Sequence, residues 1–590
     1  MKEAALLLFL LVVCSFTPGF FFVRKLRWPP FEKLCGAIGL SLILLYAASS
    51  AFYWLNVPNV VYWVFSGACL ALGVLAYRDI FRLFSRVRRV IAGFAFLLLW
   101  VFVLLAMIRV YSGGGWIGDW LEHFQRTLFF LHHFPKNTPI IGGYQLPARP
   151  PMMNLLGAFF LAQASDRFDL FQMTFTFLNL LVFFPCCLML PTLWPRARRP
   201  VRLLAALFAL NPLIIQNATY TWTKLLAVFY VVLGLWFYLA GWRKGDQSRM
   251  VAAFVALAAG IMVHYSAGPY LVFLALHYLL FVFRRRRRWR EAGTALLAGG
   301  ALLVSWFAWS IAVYGMWSTL ASNTAVTAAA KVQGSNWEKI AANLLDTLVP
   351  FPLRNDAPVA ILHQPSQAGA LRDVCFLIYQ TNLIFALGVV GGPLVLYLLY
   401  RTFRPLKRPE ASFWLMLVLS CLTLGVAVHG ERETFGVTHV TLQPLAVLGL
   451  ALLAAGITSL RRLAVFFMIA GCALDFALGI FLQVHIQNFE NIAGVKVFEE
   501  QGGTSLTYPA WENWSRKHLL TTCGPAQLPK CLAADQLYFG GWYSRHNGQA
   551  VFLGDWFEGQ PLFLVLLGFP LWIAALLPAT PDKALSGKIK

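Results

Sequence analysis

Fifteen apolar runs constrain this chain more than any other feature. They lie near 4–23, 34–54, 57–77, 90–110, 170–194, 203–216, 222–241, 250–264, 267–283, 293–313, 374–400, 411–428, 438–458, 463–484 and 561–578. A helix crosses the hydrocarbon core of a bilayer with about 20 apolar residues, roughly 17 at the short end. The runs at 203–216 and 250–264 therefore need flanking residues to span. Between the runs stand basic clusters: Arg24-Lys25-Leu26-Arg27, Arg86-Val87-Arg88-Arg89, Arg196-Ala197-Arg198-Arg199, Arg284 through Arg288, and Arg404-Pro405-Leu406-Lys407-Arg408. Loops of this kind stay on the cytoplasmic side.

The stretch 150–163, opening Pro150-Pro151-Met152-Met153, decides the topology. Counting it as a span would put Arg284 through Arg288 outside and invert every later loop. Leaving it out sends 31 of the 48 Lys and Arg residues to eight cytoplasmic segments. It is therefore read as a juxtamembrane or re-entrant helix started by the proline pair. The prediction is an all-α polytopic membrane protein of about 15 transmembrane helices, N-terminus outside and C-terminus inside. Three long loops then face outward, at 111–169, 315–373 and 485–560. No internal repeat is visible, which weighs against a transporter built from repeated halves.

Composition agrees. The chain is 59% hydrophobic and 12% charged, with a mean hydropathy of +0.66, whereas soluble domains average about 25% charged. A net charge of +23 would suit nucleic acid, but its confinement to short inner turns points to topology and to anionic headgroups. Eight cysteines (Cys14, Cys35, Cys69, Cys186, Cys187, Cys375, Cys421, Cys472) lie in or beside apolar runs and read as small buried hydrophobes. Cys523 and Cys531 share one polar loop, where their spacing permits a disulfide without demanding one. Residues 4–23 lack a small-residue cleavage pattern and read as a retained helix.

The titratable groups that escape the basic-turn pattern collect in the outer loops. Gly118-Asp119-Trp120-Leu121-Glu122-His123-Phe124 puts Asp119, Glu122 and His123 on one face of a helix, with Arg126 one turn on. Leu121, Phe124 and Leu128 would line the other face, as in a helix lying at the membrane interface. Farther along are His132, His133, Arg149, Lys224, His264 and the turn His429-Gly430-Glu431-Arg432-Glu433 through His439. A carboxylate near cations at the lipid boundary suits attack on a phosphate-linked lipid: the base deprotonates a hydroxyl and the cations stabilise the departing phosphate.

Each of these residues has a plainer reading. Asp119 is also placed to cap a helix, Glu122 to pair with Arg126 at i+4, and Arg149 to reach for headgroups. Lys224 reads as an interface anchor or a phosphate ligand. Arg432 stands between two glutamates, and His439 is a helix-start residue. His123, His132 and His133 match no standard metal spacing, so a divalent metal is admitted but not required. Asp475, well inside a run, should face protein or water. Asn217-Ala218-Thr219 and Asn513-Trp514-Ser515 match a glycosylation acceptor pattern, one that often arises by chance.

The layout resembles the GT-C superfamily of membrane glycosyltransferases. It shares a span, an outer loop opening on an Asp/Glu helix, a Pro-Pro-started juxtamembrane helix, and spans with Arg-rich inner turns. Within that superfamily it is most similar to the protein O-mannosyltransferase and lipid A aminoarabinose transferase types. Two departures are three extra spans before the first family-like one and an Asp-x-x-Glu pair in place of an adjacent Asp-Glu.

The resemblance covers roughly 90–484 and implies a polyprenyl-phosphate-sugar donor and a glycan, lipid or protein acceptor. It implies Asp119 as the base of an inverting displacement and Glu122 as a second acid holding the acceptor or an ion. Arg149 would frame the donor pocket, and His123, Lys224, His264, Arg432 and His439 would bind substrate. The expected organisation is 1–89 accessory helices, 90–484 catalytic core, 485–560 an outer cap, and 561–590 a last helix and cytoplasmic tail. The protein would sit in a bacterial inner (plasma) membrane with its site outside the cytoplasm. The competing class is a transporter or flippase of lipid-linked saccharides.

Overall fold

The computed structural model describes residues 2–108, 119–138, 140, 145–193, 200–321, 335–349, 379, 382–403, 408–427, 438–457, 460–481 and 552–557. The expected span 561–578, most of the loop 485–560, and the side chains of Asp119 and His439 lie outside them. So do Cys375, Cys523, Cys531, Asn513 and Arg432. Among the described residues the regular elements are helices. The first seven are α1 (Lys2–Cys14), α2 (Thr17–Val23), α3 (Pro30–Leu55), α4 (Val60–Leu75), α5 (Tyr77–Leu105), α6 (Asp119–Leu131) and α7 (Met152–Leu161). Then come α8 (Phe168–Leu180), α9 (Phe183–Leu193), α10 (Val201–Leu210), α11 (Pro212–Thr219), α12 (Lys224–Lys244) and α13 (Gln247–Val263). The series continues with α14 (Gly268–His277), α15 (Arg284–Arg286), α16 (Trp289–Tyr314) and α17 (Met316–Ala321). Later helices include Gly391–Phe403, Arg408–Ala427, Thr438–Gly456 and Arg462–Asp475.

Among the described residues eight helical stretches are long and apolar enough to cross a membrane, the first being α1 and α2 together. The protein is an all-helical, multi-pass membrane protein. Several of the expected runs carry shorter helices: those at Val60–Leu75 and Gln247–Val263 span fewer than 18 residues, and in the run at 374–400 the described α-helix begins at Gly391. The run at 203–216 is broken, its halves α10 and α11 meeting at 71°. Asn211-Pro212 is the cause. Asn211 Oδ1 accepts from the Ile214 amide at 3.1 Å and Pro212 opens the new helix, so the chain restarts in a fresh direction.

Local chemistry closes the tight turns. Gly245, at φ +66°, ends α12 in the left-handed region, and Asp246 then caps α13 by accepting from the Arg249 amide at 3.2 Å. A glycine stop followed by an aspartate start gives an antiparallel hairpin.

Contacts sort the helix ends into two groups. At one end Arg24 pairs with Asp79 at 3.6 Å, Arg249 with Glu32 at 2.7 Å and Arg243 with Glu410 at 3.0 Å. There too Arg286 donates to the Trp242 carbonyl. These are the basic turns expected to face the cytoplasm. At the other end Arg167 meets Glu3 at 3.2 Å and Tyr53 stacks on His133. Ser49 of α3 also donates to the Leu155 carbonyl of α7 at 2.9 Å. All ten residues of α7 are buried, so the proline-started helix is a packed element of the bundle.

Candidate functional site

The end of the bundle opposite the basic turns is organised around α6. The helix begins at Asp119, so the acidic segment folds with the spacing its sequence proposes. Its surroundings differ from an interfacial helix. Phe124 and Leu128 are buried, and so are Glu122, His123, Gln125, Arg126 and Thr127 on the polar side. Neighbouring helices cover both faces, because α7 and the 145–149 corner close over the polar side.

Glu122 is the hub. Its Oε1 accepts from Arg126 Nε at 2.9 Å, one turn along the same helix. Arg149 approaches from the other side, with Nε 3.3 Å from Oε1 and Nη2 3.3 Å from Oε2. Arg126 also donates to the Leu146 carbonyl at 2.5 Å and the Gln145 carbonyl at 3.2 Å. The corner that presents Arg149 is therefore tied to α6 through backbone as well as side chain. The Glu122 and Arg126 side chains are 2% and 1% exposed, while Arg149 keeps 23%. One carboxylate thus fixes two guanidiniums, leaving the three groups with a net charge of about +1.

The electrostatics follow. Burial pushes the Glu122 carboxyl up, but Arg149, Arg126 and His123 outweigh it and hold the group at about 2. His123, buried beside this cluster, is lowered to about 3, first by burial. It is neutral at physiological pH.

The turn after α13 joins the same region. His264 Nδ1 accepts from the Ser266 amide at 3.1 Å, and Tyr265 donates its hydroxyl to the Pro147 carbonyl at 3.3 Å, two residues before Arg149. Lys224 opens α12. Gly260 of α13 packs on Tyr230 and Ala227 of α12, so this antiparallel pair carries His264 to the level of Lys224. The Lys224 ammonium lies over the Trp222 ring at 3.6 Å from its centroid, a cation–π contact.

The other candidates fall elsewhere. His132 pairs with Asp166 at 3.2 Å and His133 stacks on Tyr53, so neither joins His123. Among the described residues no three His, Cys, Asp or Glu side chains are grouped to hold a metal. His439 belongs to Thr438–Gly456, where the Thr441 carbonyl accepts from Tyr270 at 2.8 Å. Asn217 is buried, donates to the Leu213 carbonyl and accepts from Gln443; an enclosed side chain of this kind is no glycosylation acceptor. Asp475 faces protein as expected, taking bonds from Tyr379 and the Val389 amide at 3.0 Å each.

The Glu122–Arg126 bond is the i,i+4 pair visible in the sequence. Tyr265 and the reach of Arg149 to Glu122 have no local signal, because both depend on how distant helices meet.

Neither a protein-family model nor a curated protein matches the chain. The chain is similar to a crystal structure of ArnT from Cupriavidus metallidurans bound to undecaprenyl phosphate. The TM-score is 0.43 and the identity 13%, over 83% of this chain and 76% of that one.

Proposed function

We propose that the chain is a membrane glycosyltransferase that moves a sugar from a polyprenyl-phosphate-linked donor to an acceptor hydroxyl on the extracytoplasmic side, with inversion. The observation that carries this reading is the grip of buried Glu122 on Arg149. A guanidinium held through two contacts stays part-exposed at the outer end. Fixed cations of this kind stabilise charge that develops on a departing phosphate, because they need no reorganisation when the bond breaks.

In this reading Asp119, one turn before Glu122 on α6, is the base. It takes the proton of the acceptor hydroxyl, the oxygen bonds to the anomeric carbon, and the sugar–phosphate bond breaks with its electron pair going to the phosphate. Glu122 keeps Arg126 and Arg149 in place. Lys224 and His264 lie at one level to meet the lipid phosphate, and Arg432, His439 and His123 complete the surroundings of donor and acceptor.

The test is incubation of the purified protein with a panel of radiolabelled polyprenyl-phosphate sugars and candidate acceptors. Transfer of label is expected from one donor class. Asp119→Asn should lower turnover about 10²–10⁴-fold while retaining undecaprenyl phosphate binding. Normal transfer by that variant removes Asp119 as base. Binding without transfer from any donor points instead to a carrier of lipid-linked saccharides.

A further inference from the structure

Side chains of α8 hold the turn that carries Lys224. Asn179 of α8 donates Nδ2 to the Trp222 carbonyl at 2.7 Å and to the Asn217 carbonyl at 3.2 Å, and its Oδ1 accepts from the Leu226 amide at 3.1 Å. One turn earlier on the same face, Thr176 donates to the Ala218 carbonyl at 3.0 Å. These groups meet the backbone where α11 ends and α12 begins, where helix ends leave carbonyls and amides without intrahelical partners. Tyr220 and Trp222 pack together at 4.4 Å, and Lys224 lies over the Trp222 ring. Asn179, Trp222 and Lys224 thus form a connected sequence: amide to backbone, backbone to indole, indole to ammonium.

The position along α8 adds to this. Asn179 stands eleven residues into the helix that opens at Phe168, about 16 Å along its axis. The Lys224 turn is therefore recessed within the outer half of the bundle. A lysine there is a point charge on a long, flexible stem, and the ring beneath it and the backbone that carries it both act on where its ammonium lies.

We propose that Asn179 is a positioning residue that aims the Lys224 ammonium at the phosphate of a lipid-linked donor, with Thr176 as its auxiliary. This rests on the donor-phosphate role given to Lys224 above.

The experiment measures binding of undecaprenyl phosphate to the full-length protein in nanodiscs, with hydrogen exchange across 217–226 read in parallel. Lys224→Met and the near-isosteric Asn179→Leu should each weaken binding about tenfold. The double variant should be no weaker than Lys224→Met alone, because both act through one ammonium. In Asn179→Leu the Leu226 amide should exchange faster. Thr176→Val, which deletes a single bond, should weaken binding about threefold, and it carries the test if Asn179→Leu does not fold. Wild-type binding by Asn179→Leu or by a folded Thr176→Val, or losses that multiply in the double variant, overturns the positioning role and leaves the Lys224 assignment standing. Wild-type binding by Lys224→Met overturns both.

Discussion

Arg149 meets Glu122 across 27 residues of chain, each of its two contacting nitrogens 3.3 Å from a separate carboxylate oxygen. Arg126 fills the other side of the same carboxylate. Removing Glu122 would leave Arg126 buried beside a like charge. Glu122→Gln should therefore destabilise the protein by about 3–5 kcal/mol, whereas Arg149→Ala, at a part-exposed site, should cost about 1 kcal/mol. Thermal unfolding in detergent compares the two, and an equal loss for both would contradict the hub role of Glu122.

Acid should weaken the fold in two overlapping windows. His123 is lowered to about 3, so between its ordinary value near 6.5 and that point only the unfolded chain takes up a proton there. Glu122, held at about 2, acts in the same direction from its ordinary 4.5 downward. Stability should thus fall as pH drops below about 6.5 and fall more steeply below about 4.5. His123→Gln should flatten the first part of the curve, measured as melting temperature between pH 7.5 and 4.5; an unchanged slope would remove His123 as its source.

The end that carries the basic turns holds a second buried pair. Glu32 and Arg249 lie 2.7 Å apart with side chains 3% and 5% exposed. Glu32→Gln alone should cost about 3–5 kcal/mol, while Glu32→Leu with Arg249→Met should recover most of that loss, since an apolar pair carries no desolvation penalty. Melting of Glu32→Gln, and of the double variant beside its own single variants Glu32→Leu and Arg249→Met, checks both outcomes.

Gly19 is a point of contact between α2 and α3. A Cβ there would sit 2.1 Å from the Ala37 carbonyl oxygen and 2.6 Å from the Ser41 amide nitrogen, both backbone atoms. Gly19→Ala should therefore force the helices apart at a cost of about 1–3 kcal/mol. Gly67→Ala, in open space, is the control and should melt within about 0.5 kcal/mol of the parent.

The sequence by itself determined the helical character of the described apolar runs, the helical register of Asp119, Glu122 and His123, and the Glu122–Arg126 pair. These are local matters of apolar run length, charge placement and i,i+4 spacing. The tertiary structure alone decided that both faces of α6 are covered, that Arg149 returns to Glu122, that α10 and α11 part at 71°, and that Asn179 holds the Lys224 turn. Helices between lipid and an equally apolar interior carry little amphipathic signal to say which side faces a neighbour. Long-range polar partners are then chosen by packing geometry, which becomes visible only when the helices are brought together.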